Sequence, residues 1–287
     1  MTINMKILVT GVKGQLGYDV VKELNKRNIP CKGIDIDDLD ITDRGAVLSF
    51  IRAENPTAVI HCAAYTAVDK AEDDRDKCYA VNVGGTENIA LACKDIDAEM
   101  MYFSTDYVFP GDGEAEYDVN DEKGPKGVYG RTKLEGEYKV LENVDKHYIV
   151  RISWVFGING ANFIRTMLRL SETRTELNVV CDQIGSPTYT ADLAPLVCDM
   201  IESRKYGIYH ATNEGFCSWA DFAGAIFEKA GKNVTVHPIP TSEYPAKAAR
   251  PLNSRLSKKS LDEGGFKRLP DWESALERYL RELNTKV

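Results

Sequence analysis

Histidine is scarce in this 287-residue chain, paired cysteines are missing, and no window reaches the ~18 apolar residues of a membrane span. The seven cysteines (Cys31, Cys62, Cys78, Cys93, Cys181, Cys198, Cys217) include no C-x-x-C pair and are odd in number. That pattern reads as reduced core thiols and not as a disulfide framework or a metal site. The four histidines (His61, His147, His210, His237) are scattered, so no cluster of His, Cys and carboxylates stands at ligand spacing and no metal is expected. Positive charge is in deficit as well: 36 basic against 44 acidic residues give a net of −8. This argues against nucleic-acid or anionic-membrane partners and leaves a small anionic substrate open. The start, MTINMKILVTG, has no charged region followed by a long apolar run, so a cytoplasmic protein is expected.

What is present is a globular composition, 43% hydrophobic and 28% charged, in a rhythm of short and long segments. KILVTG, CKGIDI, TAVIHCAA, EMMYFST and HYIVRIS are candidate strands. Amphipathic segments near 15–27, 43–54, 76–95 and 128–143 separate them, each long enough for a crossover helix, and Asp43 reads as a helix cap. Such alternation predicts a doubly wound parallel sheet with helices on both faces. Beyond residue 155 the rhythm loosens, with helices predicted near 161–173, 190–203, 218–231 and 271–284 and strands near 177–181, 207–211 and 234–237. The expected architecture is a nucleotide-binding domain over 1–155 and a smaller lobe over 156–287. Segments within about 177–211 are expected to return to the first sheet.

The first strand-to-helix junction, KILVTGVKGQLGYDVVKEL, carries Gly11, Gly14 and Gly17. Glycines there permit a tight turn, close approach of backbone amides to a pyrophosphate, and tight packing of helix on strand. The spacing is G-x-x-G-x-x-G, which an ordinary connection also tolerates, so the loop gains weight from its place in the first strand-helix unit. Asp35, 18 residues after Gly17, stands where a carboxylate binds the adenosine ribose and repels a 2′-phosphate, which favours NADH slightly over NADPH. Ala63 and Ala64, at the end of the third strand, leave room for a flat cofactor.

Tyr-x-x-x-Lys occurs twice, at Tyr18/Lys22 and at Tyr129/Lys133, so spacing alone selects neither. Each pair shares one helix face. Tyr18 directly follows the glycine loop and is expected to be non-catalytic. Tyr129 opens a helix between the fourth and fifth strands, and the fourth strand ends in STDYVF, with Ser104 and Thr105 at the sheet's carboxyl edge. A phenol, an ammonium and a hydroxyl converging there suit carbonyl reduction. Tyr129 would donate the proton, Lys133 would lower the phenol pKa and bind the cofactor ribose, and Thr105 would hold the carbonyl oxygen.

These motifs, with VNVGGTENIA, RISWVFG, NFIRTMLRL, DQIGSPTYTADLA and RPLNSRL, make the chain resemble the extended short-chain dehydrogenase/reductases, and within them the dTDP-4-dehydrorhamnose reductases, over nearly its whole length. The resemblance implies a Rossmann-type fold with a substrate-binding lobe, and an NADH- or NADPH-dependent reductase of a nucleotide sugar. It implies cofactor contacts at Gly14, Gln15, Leu16, Asp35, Asp40, Ile41, Ala63, Ala64 and Tyr65, beside Gly11, Gly17, Tyr129 and Lys133. It implies sugar contacts at Thr105, Asp106 and Trp154, with Tyr107 beside them and Arg250 or Arg255 for the diphosphate.

Related dehydratases place a Glu after the T-D pair, where this chain has Tyr107, which disfavours elimination chemistry. Epimerases share the Tyr and Lys and are the nearest enzymatic rival. A non-catalytic relative, the regulatory subunit of methionine adenosyltransferase, is the alternative of another class. Some family members are metal-bridged dimers with a glutamate in the glycine loop; Gln15 replaces it here, so a monomer or an unbridged homodimer is expected.

Overall fold

The computed structural model describes residues 5–285. The alternating segments become β1 (Ile7–Thr10), α1 (Gln15–Lys26), β2 (Cys31–Ile34), α2 (Arg44–Glu54), β3 (Ala58–His61), α3 (Val68–Ala71), α4 (Arg75–Tyr79), α5 (Thr86–Asp95), β4 (Glu99–Thr105), α6 (Val128–Asn143) and β5 (His147–Ile152). Asp43 caps α2, its side chain accepting from the Ala46 amide. With Gly207–His210 the five strands form one sheet, ordered 207–210, β5, β4, β3, β1, β2, and every pairing is parallel. The chain moves from β1 outward to β2 and then crosses to β3 on the other side. The carboxyl ends of β1 and β3 thus flank the switch point where such sheets open a crevice.

Strand alternation sorts the core. Ile7, Val9, Ile60, Met101 and Phe103 pack with α1 and the helix Thr190–Ser203 on one face. Leu8, Val59, Met100, Tyr102 and Ile149 pack with α2, α5 and α6 on the other. Each fully buried aliphatic contributes roughly 1.5–3 kcal/mol relative to exposure, so both faces hold the strand ends rigidly beneath the crevice.

The single helix expected over 76–95 is interrupted: α4 passes into a π-helical turn, Ala80–Gly85, before α5. Two glycines, Gly84 and Gly85, weaken the regular ladder there. The widened turn carries the buried Asn82, whose Nδ2 donates to the Tyr65 carbonyl (3.1 Å) and Thr132 Oγ1 (3.0 Å), while its Oδ1 accepts from the Tyr65 amide (2.8 Å). The irregular helix therefore pins the loop after β3 against α6.

The lobe gathers three small sheets: Val155–Phe156 with Thr188–Tyr189, Glu176–Val180 with Thr235–Ile239, and Ile184–Gly185 between Cys217–Ser218 and Asn253–Ser254. Phe163–Leu170, Trp219–Lys229 and Trp272–Thr285 enclose them around Phe156, Phe222, Phe227 and Tyr279. Of the region 177–211 expected at the first sheet, Thr190–Ser203 packs on α1 and Gly207–His210 pairs with β5. Glu176–Val180 does not join it. Its inward residues Leu177 and Val179 bury in the lobe core, and the β5 edge is already taken by Gly207–His210. No helix among the described residues is long and apolar enough to cross a membrane.

Candidate active site

The turn after β1 depends on missing side chains. Gly11 sits at φ +71°, in the left-handed region, and a Cβ there would stand 2.6 Å from the Ala63 nitrogen. A Cβ on Gly17 would collide with the Gly11 carbonyl. Gly14 is the N-cap of α1 and offers no capping side chain, so the first amides of that helix are left for another acceptor.

These glycines, with Gln15 and Leu16, line a cavity of about 760 Å³ at the carboxyl ends of the sheet strands. Asp35, Asp40 and Ile41 line it after β2, and Ala63, Ala64 and Tyr65 after β3. Asp35 is already engaged: its Oδ2 accepts from the Lys13 amide (2.8 Å) and its Oδ1 from the Ile36 amide (2.9 Å). The Lys13 ammonium pairs with Asp37 at the same lip, so a cation as well as carboxylates stands there. Gln15 looks toward the lobe, its Oε1 accepting from the Gly157 amide (2.8 Å) and from Asn162 Nδ2 (3.0 Å). Asn159 Nδ2 donates to the Lys13 carbonyl (2.8 Å), so the glycine loop is tied to the C-terminal lobe.

At the other end the cavity is lined by Thr105, Asp106, Tyr107, Tyr129, Lys133 and Trp154. A glycine brings β4 and α6 together: a Cβ on Gly130 would collide with the Tyr107 carbonyl, so only glycine lets that loop rest on the helix beside Tyr129. The Tyr107 and Tyr129 rings meet edge to face at 5.5 Å. Thr105 donates to Asp106 Oδ1 (2.9 Å), and the Ser254 hydroxyl donates to Asp106 Oδ2 (2.5 Å). Burial raises the Asp106 carboxyl to about 6 against these bonds, and burial likewise raises the Tyr107 phenol to about 12.

Lys133 is only 3% exposed, and its Nζ lies 4.0 Å from the centre of the Tyr102 ring. Among the described residues it makes no ion pair, and burial pulls its ammonium down to about 7, with the charge of Glu137 acting the other way. The sequence led to the expectation of a phenol lowered by this lysine. Here the Tyr129 phenol is pushed well above its ordinary value, first by burial and then by the charge of Asp106, against the hydrogen bond with Thr105. The physical reason is that desolvation, joined by the neighbouring charge of Asp106, penalises the buried phenolate.

Two residues expected at the site do not line the cavity. Arg250 donates to Asp69 Oδ2 (2.5 Å) and Arg255 to Asn253 Oδ1 (3.0 Å), and neither is among the lining residues. The Arg250 guanidinium reaches from the lobe to a carboxylate of α3 and adjoins the Tyr107 phenol, while that of Arg255 bonds a neighbour within the lobe. Tyr18 is also absent from the lining. Conversely, Lys13, Thr66, Ser153 and Trp219 line the cavity without having been singled out. Lys13 sits inside the glycine motif and was legible by position; Trp219 lies between motifs, far along the chain from Trp154, and only the tertiary fold brings it in. All seven cysteines are free, and among the described residues no group of three or more His, Cys, Asp or Glu is arranged to hold a metal.

Comparison with known proteins gives a consistent picture. Residues 5–285 match the family model described as the RmlD substrate binding domain. The spore coat polysaccharide biosynthesis protein SpsK of Bacillus subtilis is 41% identical, over 96% of this chain and 97% of its own length. A dTDP-4-dehydrorhamnose reductase structure from Clostridium acetobutylicum superposes with a TM-score of 0.96 at 43% identity, covering 98% of this chain and 100% of that one. Another, from Bacillus anthracis in complex with NADP, gives 0.94 at 43% identity, with 97% and 99% covered.

Proposed function

This chain belongs to the dTDP-4-dehydrorhamnose reductase family, and from that premise we propose that it reduces the C4 keto group of dTDP-4-dehydro-6-deoxy-L-mannose to give dTDP-L-rhamnose. The observation that carries this reading is the meeting of Thr105, Tyr129 and Lys133 with the glycine loop around one cavity.

The residues present fit a nicotinamide dinucleotide, NADH or NADPH. Gly11 and Gly17 lack the side chains that would close the loop, the α1 amino terminus is uncapped by any side chain, and Ser104 Oγ is buried at the cavity with no hydrogen-bond partner. The glycine loop would hold the pyrophosphate and Asp35 the adenosine ribose, with Lys13 as the cation at hand for a 2′-phosphate. When bound, the reduced nicotinamide supplies a hydride. Tyr129, kept protonated at neutral pH by its burial, donates a proton to the carbonyl oxygen as negative charge gathers there. Thr105 turns its hydroxyl from Asp106 to the same oxygen. Lys133, on the helix face of Tyr129, stabilises the phenolate that donation leaves. Asp106, Tyr107 and Trp154 wall the sugar.

Steady-state oxidation of NADH and NADPH tests the proposal, with dTDP-4-dehydro-6-deoxy-L-mannose and its 4-keto-6-deoxy-D-glucose counterpart offered separately. Turnover is expected with the L-manno sugar and either nicotinamide. No turnover with either nicotinamide rejects the reading, and turnover of the D-gluco sugar alone reassigns the substrate, as one 37% identical relative bears the name of a dTDP-4-keto-6-deoxy-D-glucose reductase.

A further inference from the structure

Five residues other than glycine have positive φ among the described residues: Asn28, Asn55, Asp97, Trp154 and Arg204. Four of them follow or cap helices, where a left-handed residue is a common way to end the hydrogen-bond ladder. Trp154, at φ +48°, follows a strand and is the one aromatic residue in the set. A bulky side chain holds such a backbone only where its surroundings over-determine it.

Those surroundings are specific. The Trp154 ring stacks on Trp219 with centroids 3.7 Å apart and planes 14° from parallel. Behind it is Gly185, where a Cβ would stand 2.9 Å from Trp154 Cε2. Its carbonyl accepts from the Thr188 amide at 3.1 Å. Trp219 is in turn fixed on its own element. It is the first residue after the N-cap Ser218, whose hydroxyl accepts from the Asp221 amide (3.0 Å) while Asp221 Oδ2 accepts from the Ser218 amide (2.9 Å). Phe163 packs against it at 4.6 Å. Trp219 packs on the lobe core but is only partly buried by it, and its remaining surface lines the cavity together with Trp154.

We infer that Trp219 is a positioning residue for the sugar site: it clamps Trp154 in its left-handed pose and so sets affinity for the nucleotide sugar without touching the dinucleotide end. This rests on the reductase reading above. The lobe reaches the substrate through a two-ring shelf, one ring from the end of β5 and one from the helix Trp219–Lys229.

The test compares Trp219→Ala and Trp219→Phe with wild type in three measurements: kcat and KM for the nucleotide sugar, Kd for NADPH, and the far-ultraviolet circular dichroism couplet of stacked indoles. Trp272, the third tryptophan, packs edge to face on Phe222 and is stacked on neither indole, so the couplet reports the Trp154/Trp219 pair. Trp219→Ala is expected to raise KM about tenfold, the upper end of what an aromatic pair contributes. Its kcat should change less than its KM, and its NADPH Kd should match wild type. Trp219→Phe keeps a flat face and should restore most of the KM while abolishing the couplet. If Trp219→Ala does not fold, Trp219→Leu, which fills the space without a flat face, carries the same expectation. An active wild type whose KM is unmoved in these variants, or whose NADPH Kd rises in step with KM, overturns the inference alone. A wild type inert toward the sugar overturns the reductase reading and this inference with it.

Discussion

Tyr18 and Lys22 stand on α1 at the same spacing as Tyr129 and Lys133 on α6, yet their surroundings are opposite. Tyr18 is 36% exposed, and the Lys22 side chain, 57% exposed, reaches Glu282 of the C-terminal helix at 3.2 Å. Tyr129 and Lys133 look into the cavity that Thr105 also lines. The electrostatics diverge accordingly. Burial lowers the Lys22 ammonium, but the bond to Glu282 and the nearby negative charges together leave it above its ordinary value, whereas burial carries Lys133 down to about 7. Spacing decides that two side chains share a helix face. Which face, and at which end of the sheet, decides whether they can do chemistry. Tyr129 is the second residue of α6 and so hangs over the strand end, while Tyr18 is a turn into α1 and faces away from the crevice.

The sharpest way to break this comparison is to remove one hydroxyl from each pair. Tyr129→Phe takes away the proton donor and is expected to lower kcat/KM for the sugar nucleotide by about 10²–10⁴, the range for a positioned general acid. Tyr18→Phe should leave it within about twofold, as a surface change remote from the chemistry does. Equal losses would make the two copies equivalent and the positional argument wrong.

Much of this difference was legible before the fold was known, because both copies could be placed relative to the strands on either side. The alternation of strands and helices gave the sheet, and the crossovers gave its parallel sense. Asp43 gave a helix start. What could not be read was whatever depends on distant partners. Asn82 looks like an ordinary helical asparagine in VNVGG until its amide is seen bonded to the loop at Tyr65 and to Thr132 of α6. Trp219 has no motif around it that relates it to Trp154. Glu176–Val180 reads as a strand, but nothing in five residues says which sheet has a free edge. Arg250 and Arg255 were chosen for charge, and charge alone does not reveal that Asp69 and Asn253 are among their partners. The depressed lysine and raised phenol likewise follow from burial, which the spacing of two residues does not contain.

The lysines sharpen the comparison on a second axis, stability against pH. Because the folded protein disfavours the charged form of Lys133, the unfolded chain binds more protons between about 7 and the ordinary 10.5. Stability contributed by this group therefore rises with pH across that window, and the cost of burying the charge is fully present below it. Lys133→Met removes the cost. The variant should exceed wild type in urea midpoint below pH ~7, with the advantage shrinking as pH climbs toward the upper limit. A pH-independent difference between the two would mean that Lys133 is not a desolvated cation in the free protein.

Lys22→Met is the smallest and the most discriminating of these changes, since it asks whether the second copy carries any weight at all. An exposed ion pair contributes about 0.2–1 kcal/mol, and salt screens it. Glu282 keeps a partner when Lys22 is gone, because the Tyr189 hydroxyl donates to its Oε2 at 2.6 Å. The loss is therefore expected at the lower part of that range, roughly a few tenths of a kcal/mol by urea unfolding at low ionic strength, and should vanish in high salt. Activity should be unchanged, since α1 presents its amino terminus to the cavity and Lys22 lies two turns along it. A larger loss that survives in salt would mean that the contact between α1 and the C-terminal helix holds the glycine loop in place. The apparently idle copy of the motif would then support the site from behind.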